Sequence, residues 1–310
     1  MLSGMIRSAG LLVAVLGAGS GLQEKTADPK PAPVAVEATK GELVSFTHEN
    51  GVKSREGHLY HGRREGPWKG WYDTGAPWYE GAFHDYQRVG QWVYWNQNGR
   101  KKMEGAWKNG DRDGKWTFYH DNGEKQTEGA FVAGLKTGHW ISWTAEGKKI
   151  REGDYRFGIR DGPFVNYFAD TGEKWSEGPF VRGAQEGVWK RWHKGIGKLE
   201  FEGAFAKGRE AGYWKRYYPN GALQAEGFYV NGKMDGDWVG YHDNGQKSYQ
   251  GRMQAGQPVG VWLHWYANGQ KKAEGELLNG KRVGTWRLWA EDGTPDREFS
   301  GDYVDGKKKP

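Results

Sequence analysis

A unit of about two dozen residues recurs ten times in this chain of 310 residues. Most copies open with a glycine, place a tryptophan two residues later, and end with a Glu-Gly pair that lies between two glycine-containing turns. The opening glycines are Gly66, Gly90, Gly114, Gly138, Gly162, Gly187, Gly212, Gly236, Gly260 and Gly284. A short, fixed period indicates identical supersecondary units that bury their apolar faces only against their neighbours. The chain is therefore expected to form an array of stacked units rather than ordinary globular domains.

Each unit is predicted to be a β-hairpin. In the copy that spans 90–113, two short runs rich in aromatic and β-branched residues are separated by Asn98-Gly99, and the second run ends at Asn109-Gly110. Asparagine and glycine tolerate the positive φ that tight hairpin turns require. Every copy holds at least four glycines and no capped stretch long enough for a helix. The predicted fold is all-β, an elongated, twisted array of tandem hairpins of about 24 residues.

Apolar residues recur in three columns. The first column is Trp68, Trp92, Trp116, Trp140, Phe164, Trp189, Trp214, Trp238, Trp262 and Trp286. The second column lies three residues further on and is Trp71, Trp95, Tyr119, Trp143, Tyr167, Trp192, Tyr217, Tyr241, Trp265 and Trp289. The third column follows Glu-Gly by two residues and is Phe83, Trp107, Phe131, Tyr155, Phe180, Phe205, Tyr229, Met253, Leu277 and Tyr303.

The first two columns are expected on opposite faces of the sheet. Side chains alternate along a strand, so an offset of three separates them unless a bulge intervenes. We expect the first column to pack against the sheet, with each ring over the next unit's glycine, which leaves bare backbone to cover. The second column is then at least partly open along a groove. Its ten residues are the predicted binding residues of the chain.

Acidic and histidine residues also recur. The Glu-Gly glutamates are replaced by Gln250 in one copy, which indicates a structural hydrogen-bond acceptor that takes turn amides or an indole N–H. His48, His120 and His242 each fall in the first turn of a unit, which is a structural position. Histidines spread along a linear array do not converge on a metal. We expect no metal site, no cofactor, no catalytic residues and therefore no enzyme.

The ends of the chain differ from the array. A charged start, an apolar run and small residues at Ala18-Gly19-Ser20 give residues 1–20 the layout of a secretory signal peptide. Residues 21–41, rich in proline and alanine, are predicted to be a disordered linker. The array is assigned to 42–306, with a degenerate first unit over 42–65, and a basic tail to 307–310. The expected location is the periplasm, the envelope or the exterior of a bacterium, with the cytoplasm as the alternative.

The net charge and the absence of cysteine limit the classes of partner and of chemistry that are expected. The net charge of +6 is far below that of a dedicated nucleic-acid binder, and no nucleic-acid partner is expected. Cysteine is absent, which excludes disulfides and thiolate nucleophiles. No phosphate-binding loop or nucleophile elbow is present in the sequence.

The spacing Gly-x-Trp-x-x-Tyr-x-x-Asn-Gly…Glu-Gly-x-Tyr-x-x-Gly-Lys-x-x-Gly, clearest over 212–236 and 260–284, resembles the MORN repeat in its bacterial variant. The resemblance covers 42–306 and implies a hairpin array. It also implies membrane-junction, phosphoinositide or scaffolding roles, as in eukaryotic members, or the antitoxin role under which similar bacterial proteins are catalogued. Choline-binding cell-wall repeats are similar in composition, but they have a shorter period and lack Glu-Gly.

Three binding hypotheses follow. The open aromatic column binds a protein or peptide, with Trp and Tyr as anchors, and this is the preferred interpretation. Alternatively, its rings stack on sugars of a wall polysaccharide. A third hypothesis assigns anionic lipid to six basic residues, Arg112, Lys136, Arg160, Arg209, Lys233 and Arg282. An antitoxin-like role, with a cytoplasmic toxin as partner, is a further alternative.

Overall fold

The computed structural model describes residues 41–310, and in this range the chain forms one open antiparallel sheet of 24 strands without a helix. Each strand pairs with its neighbours in sequence, from β1–β2 to β23–β24, except that β13 and β14 both pair with β12 as two parts of one interrupted strand. The predicted signal peptide over 1–20 and the predicted linker, up to residue 40, lie outside the described residues. The strands are β1 Glu42–Thr47, β2 Lys53–Tyr60, β3 Arg63–Trp71, β4 Pro77–His84, β5 Gln87–Trp95, β6 Lys101–Lys108, β7 Asp111–Tyr119, β8 Lys125–Val132, β9 Leu135–Trp143, β10 Lys149–Arg156, β11 Ile159–Tyr167, β12 Lys174–Val181, β13 Ala184–Gln185, β14 Gly187–Trp192, β15 Leu199–Ala206, β16 Arg209–Tyr217, β17 Leu223–Val230, β18 Lys233–Tyr241, β19 Lys247–Gln254, β20 Gln257–Trp265, β21 Lys271–Leu278, β22 Lys281–Trp289, β23 Pro295–Val304 and β24 Lys307–Lys308.

One unit is one hairpin, as the turn signals predict. The second turn of each unit has two residues with positive φ, for example Asn109 at 52° and Gly110 at 84°, which is the type I′ geometry that matches strand twist. The same turn forms where the first residue is not asparagine, and Phe157 has a φ of 50° there. The first turn is a five-residue loop in most units, and Asn98 caps it by accepting a hydrogen bond from the amide of Arg100 at 3.0 Å.

A bulge precedes the first column in every regular unit. Gly57 pairs with Trp68 while His58 pairs with Glu65, so two extra residues, one of them Gly66 with a φ of 67°, stand in β3. The opening glycine of each unit is therefore required by a positive φ inside a strand. The register shifts again between Gly70 and Trp71, but the extra residue is Trp78 in the partner strand β4, so β3 has no bulge between Trp68 and Trp71. The first and second columns consequently lie on opposite faces, as the offset of three predicts.

Side chains of the first turn tie each unit to the next. The residue after the second column is often histidine or tyrosine, and it reaches the carbonyl of the following unit's second-column residue. His120 Nε2 lies 2.9 Å from the Trp143 oxygen, and the Tyr218 hydroxyl donates to the Tyr241 oxygen at 2.9 Å. Asparagine side chains of the same turn form a second series of hydrogen bonds between units. For example, the Asn244 side-chain amide donates to the Ala267 oxygen at 2.7 Å. The turn histidines thus have structural partners.

The end units keep the register of the array with altered residues. Val44 pairs with Gly57 as Trp68 pairs with Gly81, so the first unit has a valine in the first column. Between the pairs Trp286–Gly301 and Leu288–Asp296, β22 advances by two residues and β23 by five. The extra residues of β23 accommodate the insertion after Gly293. Lys307 and Lys308 of the basic tail pair with β23 as the short final strand.

Candidate functional site

The face that carries the first and third columns is called here the ring-packed face. The first-column side chains are buried, with exposed fractions from 0% for Trp116 to 7% for Trp262. A Cβ built on Gly105 would lie 2.3 Å from Cδ2 of Trp116, which means that the indole lies flat on bare backbone. The ring belongs to the unit after the glycine, so each ring covers the preceding unit's glycine. The expectation that each ring covers the next unit's glycine was therefore wrong.

Tryptophan is used in the first column because its N–H has a partner. The Trp116 Nε1 donates to the Ala106 oxygen at 2.8 Å, and the same bond recurs from Trp140 to Ala130 and from Trp214 to Ala204. The accepting carbonyl follows the covered glycine and lies at the bulge, where the strand ladder is interrupted. A buried indole therefore supplies the hydrogen bond that the neighbouring strand does not.

The opposite face, called here the ion-paired face, carries the second column. All ten of its rings are partly exposed: Trp71, Trp95, Tyr119, Trp143, Tyr167, Trp192, Tyr217, Tyr241, Trp265 and Trp289. Lysines of the preceding unit lie on several of them, with the Lys53 ammonium 5.3 Å from the Trp71 ring centroid. Burial and a hydrogen bond to Glu152 raise the pKa of Tyr167 to about 12.

The glutamates of Glu-Gly also lie on the ion-paired face, and they are hydrogen-bond acceptors. Glu226 Oε1 accepts from the Tyr241 hydroxyl at 2.8 Å, and Glu128 Oε2 accepts from the Lys125 ammonium at 2.8 Å. Gln250 accepts from a lysine in the same way. The acceptor role is as predicted, but the expected donors, turn amides and indoles, were wrong, because the first-column indoles point to the other side of the sheet.

Three clefts open on the ring-packed face. The first, of about 460 Å³, lies over β2–β5 and is lined by Arg55, Arg64, Arg88, Tyr79 and Trp92 among others. The second, of about 410 Å³, lies over β12–β17 around Trp189 and Trp214 and includes charged side chains. The third, of about 340 Å³, lies over β18–β21 and is lined mainly by apolar residues. A groove-like series of clefts therefore follows this face of the sheet.

Two exposed tryptophans border the first two clefts. Trp78, which is 46% exposed, lines the first cleft, and Trp175, which is 41% exposed, lines the second. Both stand three residues before a Glu-Gly glycine, outside the three columns. Sequence reasoning from the columns missed them, although a tryptophan that the repeat does not account for was itself a usable signal.

The third cleft contains a half-buried histidine. His264 stacks on Trp262 with 6.1 Å between ring centroids, and burial, together with the charges of Lys272 and Arg282, lowers its pKa. Met234 and Pro258 line the same cleft at positions where earlier units have arginine or lysine. The lowered pKa favours the neutral form of the imidazole in this largely apolar cleft.

The predicted binding residues and these three clefts lie on different faces. All ten second-column residues are together on the ion-paired face, and their role as a binding surface stays a prediction. Of the six basic residues considered for lipid, Arg112, Lys136, Arg160 and Arg282 lie over rings of the ring-packed face. Arg209 and Lys233 stand one position earlier in register, beside the turns, so the six do not form one row.

Within residues 41–310, histidine, aspartate and glutamate side chains form no group of three that could hold a metal ion. No helix with the length and hydrophobicity needed to cross a bilayer occurs in that range either.

Comparison with known proteins supports the repeat assignment in three places. The model of the "MORN repeat variant" matches residues 112–132, 211–231 and 258–279. Each match spans two consecutive strands and the turn between them, which are β7–β8, β16–β17 and β20–β21 in chain order. No curated protein matches the chain.

Similar solved structures are much longer chains. A crystal structure of TcdB2-TccC3-Cdc42 is 12% identical over 84% of this chain and 13% of that chain, with a TM-score of 0.20. A Photorhabdus luminescens Tc holotoxin pore is 10% identical over 86% of this chain and 16% of that chain, with a TM-score of 0.18. The chain spans less than a fifth of either one, and these scores provide no basis for transferring fold or function.

Proposed function

We propose that this protein is a non-catalytic binding or scaffold array that holds a polypeptide partner along its ring-packed face, at the bacterial envelope. The observation that carries the proposal is the series of three clefts along that one face, from β2–β5 to β18–β21. A separate cleft of about 330 Å³, lined by Leu278, Lys281 and Val304 among others, lies beside the turns of the last units and does not belong to this series. Successive clefts along a repeat array suit an extended partner better than a single small molecule. The MORN-type segments support a repeat-based binding role of this kind.

The clefts offer the side chains that dominate polypeptide interfaces. Trp78 and Trp175 are exposed at the borders, and partly exposed aromatic residues are enriched among the anchors of interfaces. Met253 and Leu277 give the third cleft an adaptable apolar lining. The ion-paired face has fewer free groups, because its lysines and glutamates bind one another, as in Lys271–Glu274 at 2.8 Å.

Site-specific photo-crosslinking on the full chain tests the proposal. A photoreactive residue at Trp78 or Trp175 reports on the ring-packed face, and one at Tyr213 or Val261, exposed beside first-column residues, reports on the ion-paired face. We expect envelope polypeptide adducts, identified by mass spectrometry, from the first pair only. Adducts from the second pair alone would overturn the choice of face and favour the second-column prediction, and no polypeptide adduct from any position would overturn the function.

The location is a separate part of the proposal, since it depends on residues 1–20. Mass spectrometry of the N-terminus in periplasmic, membrane and cytoplasmic fractions tests it. A chain that begins near residue 21 in the periplasmic or membrane fraction supports export, whereas a chain of full length in the cytoplasm contradicts it.

A further inference from the structure

Five consecutive units carry a positive charge at one equivalent position of the ring-packed face. The position is four residues before the first column, and the row consists of Arg64, Arg88, Arg112, Lys136 and Arg160. Each cation lies on aromatic rings, as the Lys136 ammonium does 4.1 Å from the Trp140 centroid. We refer to these five residues as the cation row.

The cation row has no acidic partner within the described range. Its five residues make no ion pair with any residue from 41 to 310, while lysines of the ion-paired face are neutralised by glutamates. The residues directly opposite in register are Leu59, Phe83, Trp107, Phe131 and Tyr155, all without charge. The row therefore presents unneutralised charge over apolar surroundings.

The row also ends within the array. In the next four units the equivalent residues are Gln185, Glu210, Met234 and Pro258, and a cation returns only at Arg282. The cation row thus lies on β3–β11, and the four units that follow are neutral or acidic at this position. A charge requirement imposed by the fold itself would recur in all ten units.

At the centre of the row, polar hydrogens have no acceptor. Arg112 lies over four rings, at 5.8 Å from Trp107, 4.9 Å from Trp116, 5.3 Å from Phe118 and 5.4 Å from Phe131. Its Nε and the Nε1 of Trp107 are buried without a hydrogen-bond partner in the described structure. Burial lowers the pKa of Arg112 and of Lys136. These two buried atoms are out of reach of a ligand, but the Arg112 side chain as a whole is partly exposed. A desolvated cation without a charged partner is costly, and a ligand carboxylate that reaches the accessible part of the guanidinium would offset that cost.

The spacing of the row selects among extended ligands. Neighbouring cations stand two strands apart, which is about 10 Å at ~4.8 Å per strand. A polyproline II chain advances ~3.1 Å per residue and returns to the same side every third residue, or about 9.3 Å. A β-strand returns every second residue, at about 6.7 Å, and does not match. A helix, which is about 10–12 Å wide, matches the spacing of the cations only at every seventh residue.

We propose that the cation row binds an acidic polypeptide segment in the polyproline II conformation, with a carboxylate at every third residue. This inference rests on the proposed function, because it specifies the partner of the same face. Each carboxylate would accept hydrogen bonds from one cation of the row, and the exposed Trp78 at the border suits contact with proline rings.

Binding of fluorescent peptides to the full chain tests the proposal. The probes are five Glu-Pro-Pro triplets, a peptide of the same composition with its glutamates grouped together, and a helical peptide with glutamate at every seventh residue. We expect the triplet peptide to bind at least tenfold more tightly than either other probe, with an affinity that falls as salt is raised. Equal binding of the grouped peptide, or tighter binding of the helical one, would overturn the polyproline II assignment.

Variants locate the site on the array. Arg88→Gln and Arg112→Gln should each weaken binding of the triplet peptide about fivefold, as loss of one charge-assisted contact predicts. Arg282→Gln is the matched control, since Arg282 stacks on Trp286 at 4.5 Å but stands outside the row, and it should leave affinity unchanged. Circular dichroism confirms that the variants are folded, and equal effects of all three would overturn the assignment to the row.

Two further outcomes separate this inference from the function on which it rests. If acidic peptides fail to bind while crosslinks from Trp78 and Trp175 still capture a polypeptide, the inference is wrong and the proposed function stands. If vesicles of phosphatidylserine displace the triplet peptide and bind more tightly in a row-dependent way, the row is a membrane site and the inference is likewise overturned.

Discussion

The contact between each first-column ring and the glycine beneath it can be tested by adding one methyl group. In Gly105→Ala the new Cβ would lie 2.3 Å from Cδ2 of Trp116, whereas carbon atoms in contact prefer about 3.5–4.0 Å. The indole, which is fully buried, must therefore lift by more than about 1 Å or the strands must separate. Overpacking of this kind costs about 1–3 kcal/mol. Lifting the ring also breaks the 2.8 Å bond to the Ala106 oxygen, which adds about 1 kcal/mol, for a total of about 2–4 kcal/mol.

Gly153→Ala is the matched control, because Gly153 lies beneath Phe164 with a built Cβ 2.4 Å from the ring. Phenylalanine has no N–H to lose, so its cost should be lower by about 1 kcal/mol. Urea unfolding followed by tryptophan fluorescence gives both values, and hydrogen exchange of β6 and β7 shows whether the loss is local, as expected in a repeat array. A cost for Gly105→Ala below about 0.5 kcal/mol would refute the geometry, and equal costs for both variants would refute the energetic role of the indole bond.

Three further changes test other parts of the array. Asn244→Asp keeps the turn cap but removes the donor to the Ala267 oxygen, so it should cost about 0.5–1.5 kcal/mol in urea unfolding, and no loss would mean that this bond between units is unimportant. Phe157→Asn should stabilise the array by up to about 1 kcal/mol in the same assay, because asparagine tolerates the φ of 50° better, and destabilisation would contradict this reasoning. His264 has a lowered pKa in the folded chain, so the unfolded chain binds its proton first and stability should decline as pH falls below about 6.5. The thermal midpoint of His264→Leu should lose that part of the pH dependence, and an unchanged profile would show that His264 is not the responsible group.

Periodicity was sufficient to predict the hairpin units and the faces of the first two columns. The offset of three between Trp68 and Trp71 needs only strand alternation, and the bulge happens to precede both residues. Which glycine each ring covers was not predictable, because Trp68 pairs with a glycine on each neighbouring strand, Gly57 and Gly81. The side-chain conformation and the bulge decide which glycine is covered, and neither follows from spacing.

The clefts were harder to predict, because they depend on departures from the repeat. Trp78 and Trp175, which line two of the clefts, can be recognised in the sequence only when the tryptophans of the three columns are set aside. The cation row was present in the sequence, but the six basic residues considered for lipid included Arg209 and Lys233, which stand one position earlier. Counting back from the first-column tryptophan separates these two, because one residue of offset moves a side chain to the other face.

Each first-column ring covers the glycine of the preceding unit, and this gives the array a direction. Removing units from the C-terminal end would leave each remaining indole seated on its glycine, with one glycine uncovered at the new edge. Removing units from the N-terminal end would instead leave an indole with no backbone beneath it. At Gly301, the last glycine of the series, the Lys308 stem stands where a ring would lie, with its Cε 2.7 Å from a built Cβ. Copies can therefore be gained or lost at the C-terminal edge without unseating a ring, and the length of the array is adjustable from that end alone.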